Sequence, residues 1–231
     1  MMQEANEYEA RIVAYADILG WSEVTKKSAK DVSQRPRLLK AVTSIAGHAN
    51  SFSLKNKETI KKTIGVSQHF IERYDSIEFS YFSDNFVVSV PIAHGEILFK
   101  ILAFAYDTLL HERFLVRGGV TIGDVYHNQG IIFGPALLEA VAIEQNEALY
   151  PRFLCSQKLI DLLNRVSYFE GFLLQDCCQE WVVNIACGSL SNRDDLMKLI
   201  ENESRKIESA ERKWRYVQTM LPKMFVVKSI T

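Results

Sequence analysis

The sequence predicts an α+β fold with a mixed or antiparallel sheet flanked by helices, and three observations carry that expectation. An early run, "RIVAYADIL", is apolar enough to be a strand buried on both faces. A second stretch, "SIEFSYFSDNFVVSVP", reads as two strands joined by a tight turn at Ser83, Asp84 and Asn85, residues whose side chains satisfy turns locally. Around them lie segments whose apolar residues recur at helical spacing.

After the first strand, Ser22 to Tyr74 is rich in Lys, Glu, Ser and Leu. Leu38, Leu39, Val42 and Ile45 fit a helix, and we expect two helices with a break at Gly47 and "HANSFSLKNKE". The hairpin follows. From Gly95 to Arg113 the spacing of Ile97, Leu98, Ile101, Leu102, Ala105 and Leu109 predicts a helix, and "FLVRGGVTIGDVY" returns to strand. Asp124 and His127 then read as residues of a hairpin turn. "GIIFGPALLEAVAIEQNEA" predicts a short strand, a helix start with Pro135 at the first position after Gly134, and a helix ending near Ala148. "RFLCS" is a short strand before the helix "QKLIDLLNRV", and "EWVVNIAC" is strand-like. A long charged helix from Leu196 to Met220, with Leu196, Leu199, Ile200, Ile207, Trp214 and Val217 on one side, leads to a closing strand "MFVVKSI". No internal repeat or low-complexity linker interrupts the 231 residues, so one domain over 1–231 is expected.

The composition, 48% hydrophobic and 24% charged, is that of an ordinary globular protein with one sizeable core. A net charge of −1 and a pI of about 6.5 leave no global basic field, which argues against DNA, RNA or an acidic membrane as the main partner. The "KNKETIKK" stretch reads as a solvated basic face. "MMQEANEYEA" is polar and acidic, and no stretch reaches membrane-spanning length, so a cytoplasmic protein is expected. Cys155, Cys177, Cys178 and Cys187 lack CxxC spacing and read as free buried thiols.

One residue resists this bland reading. Asp17 puts a carboxylate near the end of a strand in which seven of the eight residues from Ile12 to Leu19 are apolar or aromatic. A buried carboxylate needs a cation, a hydrogen-bonding cap or a metal. Capping of the following helix is one way to satisfy Asp17, and turn formation is one explanation of Asp84.

The order strand, "ADILG", helix, hairpin with "FSDNF", helix, "RGGVTIG" and "FGPALLEAVAIE" resembles the class III nucleotidyl cyclase catalytic domain, a ferredoxin-like, palm-type fold. The resemblance covers roughly residues 11–156. Asp17 and Ile18 match the strand-ending Asp-Ile pair of that family, and Asp84 its hairpin Asp, with Ser83 in place of the usual Gly. A closer similarity is to the bacterial pyrimidine cyclases of the Pycsar antiphage system, carried by Tyr15 to Gly20, Phe82 to Asp84, Arg117 to Gly123, and Gly134 through Pro151 and Arg152. The resemblance implies cyclisation of UTP, or of CTP, to the 3′,5′-cyclic monophosphate with release of pyrophosphate. It also implies a homodimer with active sites at the interface, and a messenger that activates a separate effector protein in antiphage defence.

The chemistry asks for the same residues. Attack of the 3′ hydroxyl on the α-phosphate is served by two Mg²⁺ or Mn²⁺ ions about 4 Å apart. Asp17, Asp84 and the Ile18 carbonyl suffice as protein ligands, because such ions also bind substrate phosphates. Gly20 and the start of the next helix place N–H groups toward the β and γ phosphates. Tyr15, Leu19, Ser80, Arg117 and Ile131 complete the expected substrate-binding set.

The sequence also departs from the purine cyclases. Their base-reading Lys and Asp fall at Ser80 and Ile131, which fits a pyrimidine, and their transition-state Asn and Arg fall at Leu138 and Ala142. A replacement cation is then needed. Arg152 is the first candidate, with a structural ion pair to Glu144 or Glu147 as its alternative role; Arg117, and Lys223 or Lys228 beside the expected final strand, are the others. Three alternatives stand beside the pyrimidine cyclase. The first is a purine cyclase with an unusual base pocket. The second, a GGDEF-type polymerase relative, is disfavoured because "FSDNF" lacks the paired Gly and Glu. The third is a catalytically silent domain that binds nucleotide or only dimerises.

Overall fold

Strand β1 (Glu9–Leu19) is the centre of the sheet, pairing antiparallel with β3 (Asn85–Pro91) on one side and β4 (Leu115–Asn128) on the other. In this computed structural model residues 7–51, 77–165, 171–187, 193–204 and 210–228 are described. β2 (Glu78–Phe82) extends the β3 side, and β6 (Phe153–Cys155), β8 (Trp181–Val183) and β7 (Leu173–Gln175) extend the β4 side. The short β5 (Ile131–Phe133) pairs with the end of β4. All neighbours are antiparallel except β4 and β6. The order β2-β3-β1-β4, with helices after β1 and β3, is a ferredoxin-like βαββαβ unit, and the fold is α+β as expected.

The helices are α1 (Trp21–Ser28), α2 (Arg35–Ser51), α3 (Gly95–His111), α4 (Pro135–Asn146), α5 (Gln157–Asn164), α6 (Arg193–Ser204) and α7 (Glu211–Lys228). Side-chain alternation in β1 serves two faces. Ile12, Ala14, Ala16 and Ile18 join the large core with residues of α3, α6 and α7. Val13 joins Val87, Val125, Ala136 and Ala140 in a smaller cluster beneath α4. That double burial is why β1 reads as a continuous apolar run. The paired glycines of "RGG" follow from the same sandwich. A Cβ on Gly118 would stand 2.8 Å from the Phe153 ring on one face, and a Cβ on Gly119 would meet the Ala140 carbonyl and Ile143 of α4 on the other.

Several expectations are corrected. α2 runs through Gly47 to Ser51, and the break between helices comes earlier, where the Asp31 carboxylate accepts the Ser33 N–H at 3.0 Å and opens a 3-10 turn, Val32–Gln34. The rest of the expected second helix, and "KNKETIKK", lie outside the described residues. Asp124 and His127 are not turn residues: both lie within β4, with His127 buried. The expected single C-terminal helix is two, α6 and α7, and "MFVVK" belongs to α7 rather than to a closing strand. Val217, Met220, Leu221 and Met224 are all buried at three- and four-residue spacing, so the helical face continues past Pro222. β7 adds a strand the sequence did not announce. The four cysteines are free, but Cys177 and Cys178 are exposed and Cys187 is half-buried, leaving Cys155 as the buried one. Among the described residues, no helix is long and apolar enough to cross a membrane.

The close seat of α4 on β4 makes Gly119→Ala a sharp test of this packing. The added methyl group has to displace the Ala140 carbonyl and Ile143, and we expect a loss of roughly 1–3 kcal/mol in urea unfolding. An unchanged midpoint would contradict the contact.

Candidate active site

Antiparallel pairing places opposite residues on one face of a sheet, and this rule assembles the site. Asp17 is paired with Asn85, which is paired with Phe82, and on its other side with Arg117. One step along, Tyr15 is paired with Val87, which is paired with Ser80, and with Gly119. Tyr15, Asp17, Ser80 and Arg117, expected separately from four segments, therefore project from the same face, the one that α4 partly covers.

Asp84 occupies the two-residue β2–β3 turn beside Ser83, which adopts φ 57. The turn is docked onto β1, because the Ile18 N–H donates to the Asp84 carbonyl at 2.8 Å. The Tyr15 hydroxyl donates to the Asn85 side-chain oxygen at 2.5 Å, and the Asn85 amide donates to the Asp84 carboxylate at 3.1 Å. Tyr15 thus orients Asn85, and Asn85 orients Asp84. The Tyr81 hydroxyl donates to the Ser83 carbonyl and braces the other side of the turn.

The cation at these carboxylates is Arg117. Its Nε lies 2.5 Å from the Glu144 carboxylate on α4 and 3.6 Å from that of Asp17, so Glu144 is the closer partner. Asp17 is left under-compensated. Burial pushes its carboxyl above the ordinary range; Arg117 pulls it back, Asp84 pushes it further up, and Lys213 of α7 pulls it down. Glu144 is also raised, first by burial, then lowered by Arg117 and raised again by Asp17. Burial and the carboxylates Glu144, Asp17 and Asp84 push the Tyr15 phenol to about 12, so it remains a hydrogen-bond donor.

At the end of β1, Gly20 takes φ 81 and is the N-cap of α1, with no side-chain cap hydrogen bond. The Asp17 carboxylate faces Arg117 and accepts no N–H of α1, so it does not cap this helix. A cavity of about 650 Å³ opens at Leu19 and Gly20, where Lys27, Lys30, Arg37, Arg113 and Lys213 bring positive charge to its wall. Glu23, Asp31 and Glu203 also line it, with Glu23 paired to Lys27 at 2.7 Å and Glu203 to Arg113 at 3.4 Å. Ser80 and Ile131 are brought together by the β4–β5 hairpin, whose tip docks on β2 when Ser80 donates to the carbonyl of Gly130, the residue before Ile131, at 2.8 Å.

Arg152 is placed elsewhere. It is buried, pairs with Asp176 at 2.5 Å, and donates to the Glu147 carbonyl at 3.2 Å; Asp176 also accepts from the Tyr216 hydroxyl and from the N–H groups of Cys178 and Glu180. Its charged partner belongs to this buried cluster and not to the carboxylates of β1 and the hairpin. Nor does Arg152 pair with Glu144 or Glu147 through their side chains; Glu144 holds Arg117 instead. Leu138 and Ala142 are exposed on α4, and Lys223 is exposed on α7 rather than beside a strand. Lys213 is a site residue that the sequence did not single out, and Asn85 and Glu144, expected only as a turn residue and as a partner for Arg152, join it.

A metal pair fits this donor set in chemistry. Among the described residues no group of three or more His, Cys, Asp and Glu side chains could hold an ion unaided. Two carboxylates and the Ile18 carbonyl instead make the sparse, all-oxygen set that suits Mg²⁺ shared with substrate phosphates. The Asp17 carboxyl is raised first by burial and further by Asp84, so a cation arriving here would meet a partly desolvated acid.

No family model matches the sequence, and no curated protein matches it. Solved structures do. The catalytic core of a rhodopsin-guanylyl cyclase with converted specificity is 16% identical, with 78% of this chain and 98% of that chain covered and a TM-score of 0.46. The adenylyl cyclase CyaB from P. aeruginosa is 13% identical over 78% of this chain and 95% of its own, with a TM-score of 0.47. A bacterial light-regulated adenylyl cyclase is 15% identical over 84% and 98%, with a TM-score of 0.42. Likeness at this level assigns no activity to the present chain.

Asp176, which is buried, and Asp17, which is half-buried, have opposite consequences for stability. For Asp176, burial acts upward, but the hydrogen bonds from Tyr216, Arg152, Glu180 and Cys178 outweigh it and hold the carboxyl below the ordinary range. Its contribution is present above the unfolded pKa and is lost as pH falls through the lower folded value. Asp17 is raised, so its charge opposes folding above that pKa. In the absence of divalent ions at pH 7, we expect Asp17→Asn to raise the thermal midpoint, and Asp176→Asn to cost about 3–5 kcal/mol by leaving Arg152 buried without its partner. Differential scanning calorimetry decides the matter, and a lowered midpoint for Asp17→Asn would contradict this electrostatic account.

Proposed function

We propose that the protein is a nucleotidyl cyclase that converts a pyrimidine nucleoside triphosphate, UTP or CTP, to the 3′,5′-cyclic monophosphate and pyrophosphate. The observation that carries this reading is the juxtaposition of Asp17 and Asp84 by the Ile18-to-Asp84 backbone bond, with the Asp17 carboxyl under-compensated. Asp17, Asp84 and the Ile18 carbonyl would hold two Mg²⁺ or Mn²⁺ ions, which when bound favour the 3′ alkoxide and neutralise the charge developing on the departing pyrophosphate.

The chain's own residues supply the rest. Tyr15 and Asn85 hold Asp84 in place. Arg117, in reach of Asp17 and anchored by Glu144, stands where a cation could balance charge on the α-phosphate, the role that Leu138 and Ala142 cannot fill. The bare N-terminus of α1 at Gly20 and the cationic wall of the adjoining cavity, with Lys30 and Lys213, suit the β and γ phosphates. Ser80 on β2, hydrogen-bonded to Gly130, and the adjacent Ile131 would border the base, where neither offers the paired Lys and Asp of a purine reader. Phe82, Ile131, Phe133 and Leu138 are at least half exposed near this face, which suits a homodimer in which the partner's surface completes the site. By the same sequence resemblance, the product would be a messenger for a separately encoded effector in antiphage defence, made in the cytoplasm.

The direct test is incubation of the purified protein with Mn²⁺ or Mg²⁺ and each of the four ribonucleoside triphosphates, with products identified by mass spectrometry. We expect a cyclic monophosphate from one pyrimidine triphosphate, reduced about a hundredfold or more in Asp17→Ala and in Asp84→Ala. Cyclisation of ATP or GTP instead would overturn the base assignment. Nucleotide binding without product from any of the four would favour the silent domain.

A further inference from the structure

His127 is buried in β4, outside the carboxylate cluster, and is part of an unbroken hydrogen-bonded chain that ends at Ser80. Arg11 Nε donates to Ser89 Oγ at 2.9 Å, Ser89 Oγ contacts His127 Nδ1 at 2.8 Å, His127 Nε2 contacts Ser80 Oγ at 2.9 Å, and Ser80 Oγ donates to the Gly130 carbonyl at 2.8 Å. The proton positions follow from counting donors. A carbonyl accepts, so the single Ser80 hydroxyl proton is on the Gly130 bond, and Ser80 must accept from His127 Nε2–H. Nδ1 is then the acceptor of a neutral imidazole, and the Ser89 proton points to it while Ser89 accepts from Arg11. Burial, and then the nearby Arg11 charge, lower the His127 pKa to about 3, so the imidazole stays neutral across the physiological range.

The consequence lies at Ser80. Its proton is committed to Gly130 and one lone pair to His127, while among the described residues no donor meets the other lone pair. Ser80 is half-buried, and its paired neighbour Val87 is itself paired with Tyr15. Resting on the cyclase reading above, we infer that His127 is a positioning residue that fixes the Ser80 hydroxyl as a hydrogen-bond acceptor, so that the site takes a base presenting an N–H at this point. In uracil that group is N3–H, and in cytosine the 4-amino group.

The experiment is calorimetric titration, with Mn²⁺, of 3′-deoxynucleoside triphosphates, which lack the attacking hydroxyl. Two pairs share one reference base that lacks the donor without added bulk: uracil and cytosine, each against pyrimidin-2-one, the 4-deamino analogue of cytosine. In the wild-type protein we expect the donor-bearing member of the preferred pair to bind at least tenfold more tightly. Ser80→Ala should bring the two members within threefold. His127→Leu should do the same, while leaving the contribution of Mn²⁺ and of the phosphates, read from inorganic triphosphate binding, unchanged within twofold. A merely structural role for His127 would weaken all ligands alike. Equal binding of both members of each pair to the wild-type protein overturns the inference even if His127→Leu fails to fold, and leaves the cyclase reading standing. No binding of any triphosphate overturns both.

Discussion

The structure depends on one row of side chains across four strands, Phe82, Asn85, Asp17 and Arg117, fixed by the antiparallel register of β2, β3, β1 and β4. In that row the carboxylate of Asp17 lies 3.6 Å from a guanidinium whose nearer partner, at 2.5 Å, is Glu144. Had Arg117 closed on Asp17, β1 would end in a satisfied ion pair and the hairpin acid would be an ordinary turn residue. With Glu144 the nearer partner of the cation, the Asp17 carboxyl stays raised, first by burial and then by the nearby Asp84 charge. A neighbourhood of this kind disfavours folding by electrostatics and favours the arrival of a cation.

The remainder of the fold can be understood as support for that row. The large core under α3, α6 and α7 carries the hydrophobic stabilisation, and the buried Arg152–Asp176–Tyr216 cluster ties β6 to α7. The opposite face has a smaller apolar patch beneath α4, and α4 contributes Glu144. The two glycines of β4 let α4 and Phe153 approach the strand from either side, which brings Glu144 within reach of Arg117. The same face carries the chain from Arg11 through the neutral His127 to Ser80, so the carboxylates lie at one end of the row system and an uncharged, directional hydrogen bond at Ser80 lies at the other. That division matches what a triphosphate and a base require of the proposed site.

Much of this was legible in the sequence, for physical reasons. β1, the β2–β3 hairpin, α3, β4 and α4 are long or sharply patterned, and their periods of two or near four survive without tertiary information. Short apolar runs are ambiguous: "MFVVK" is rich enough in Val and Phe to suggest a strand, and the buried Val217, Met220, Leu221 and Met224 decide for the helix. His127 precedes "NQG", which marks the turn itself, and nothing local shows that the strand persists through it. Arg152 looked like a site cation because Asp176, 24 residues on, is invisible as a partner until the chain folds. Glu144 left a signal that could have been read. It falls four residues beyond Ala140 and eight beyond Ala136 on the buried stripe of α4, where an acid needs a cation.

The central claim is that Asp17 and Asp84 form a site for two divalent ions shared with a triphosphate. Electron paramagnetic resonance of Mn²⁺ bound to the protein with 3′-deoxyuridine triphosphate or its cytidine counterpart addresses it most directly. The account predicts two magnetically coupled ions per protomer that appear only when protein and nucleotide are both present and are lost in Asp17→Asn. Nucleotide binding with no more Mn²⁺ than the free nucleotide holds, unchanged in Asp17→Asn, would contradict it.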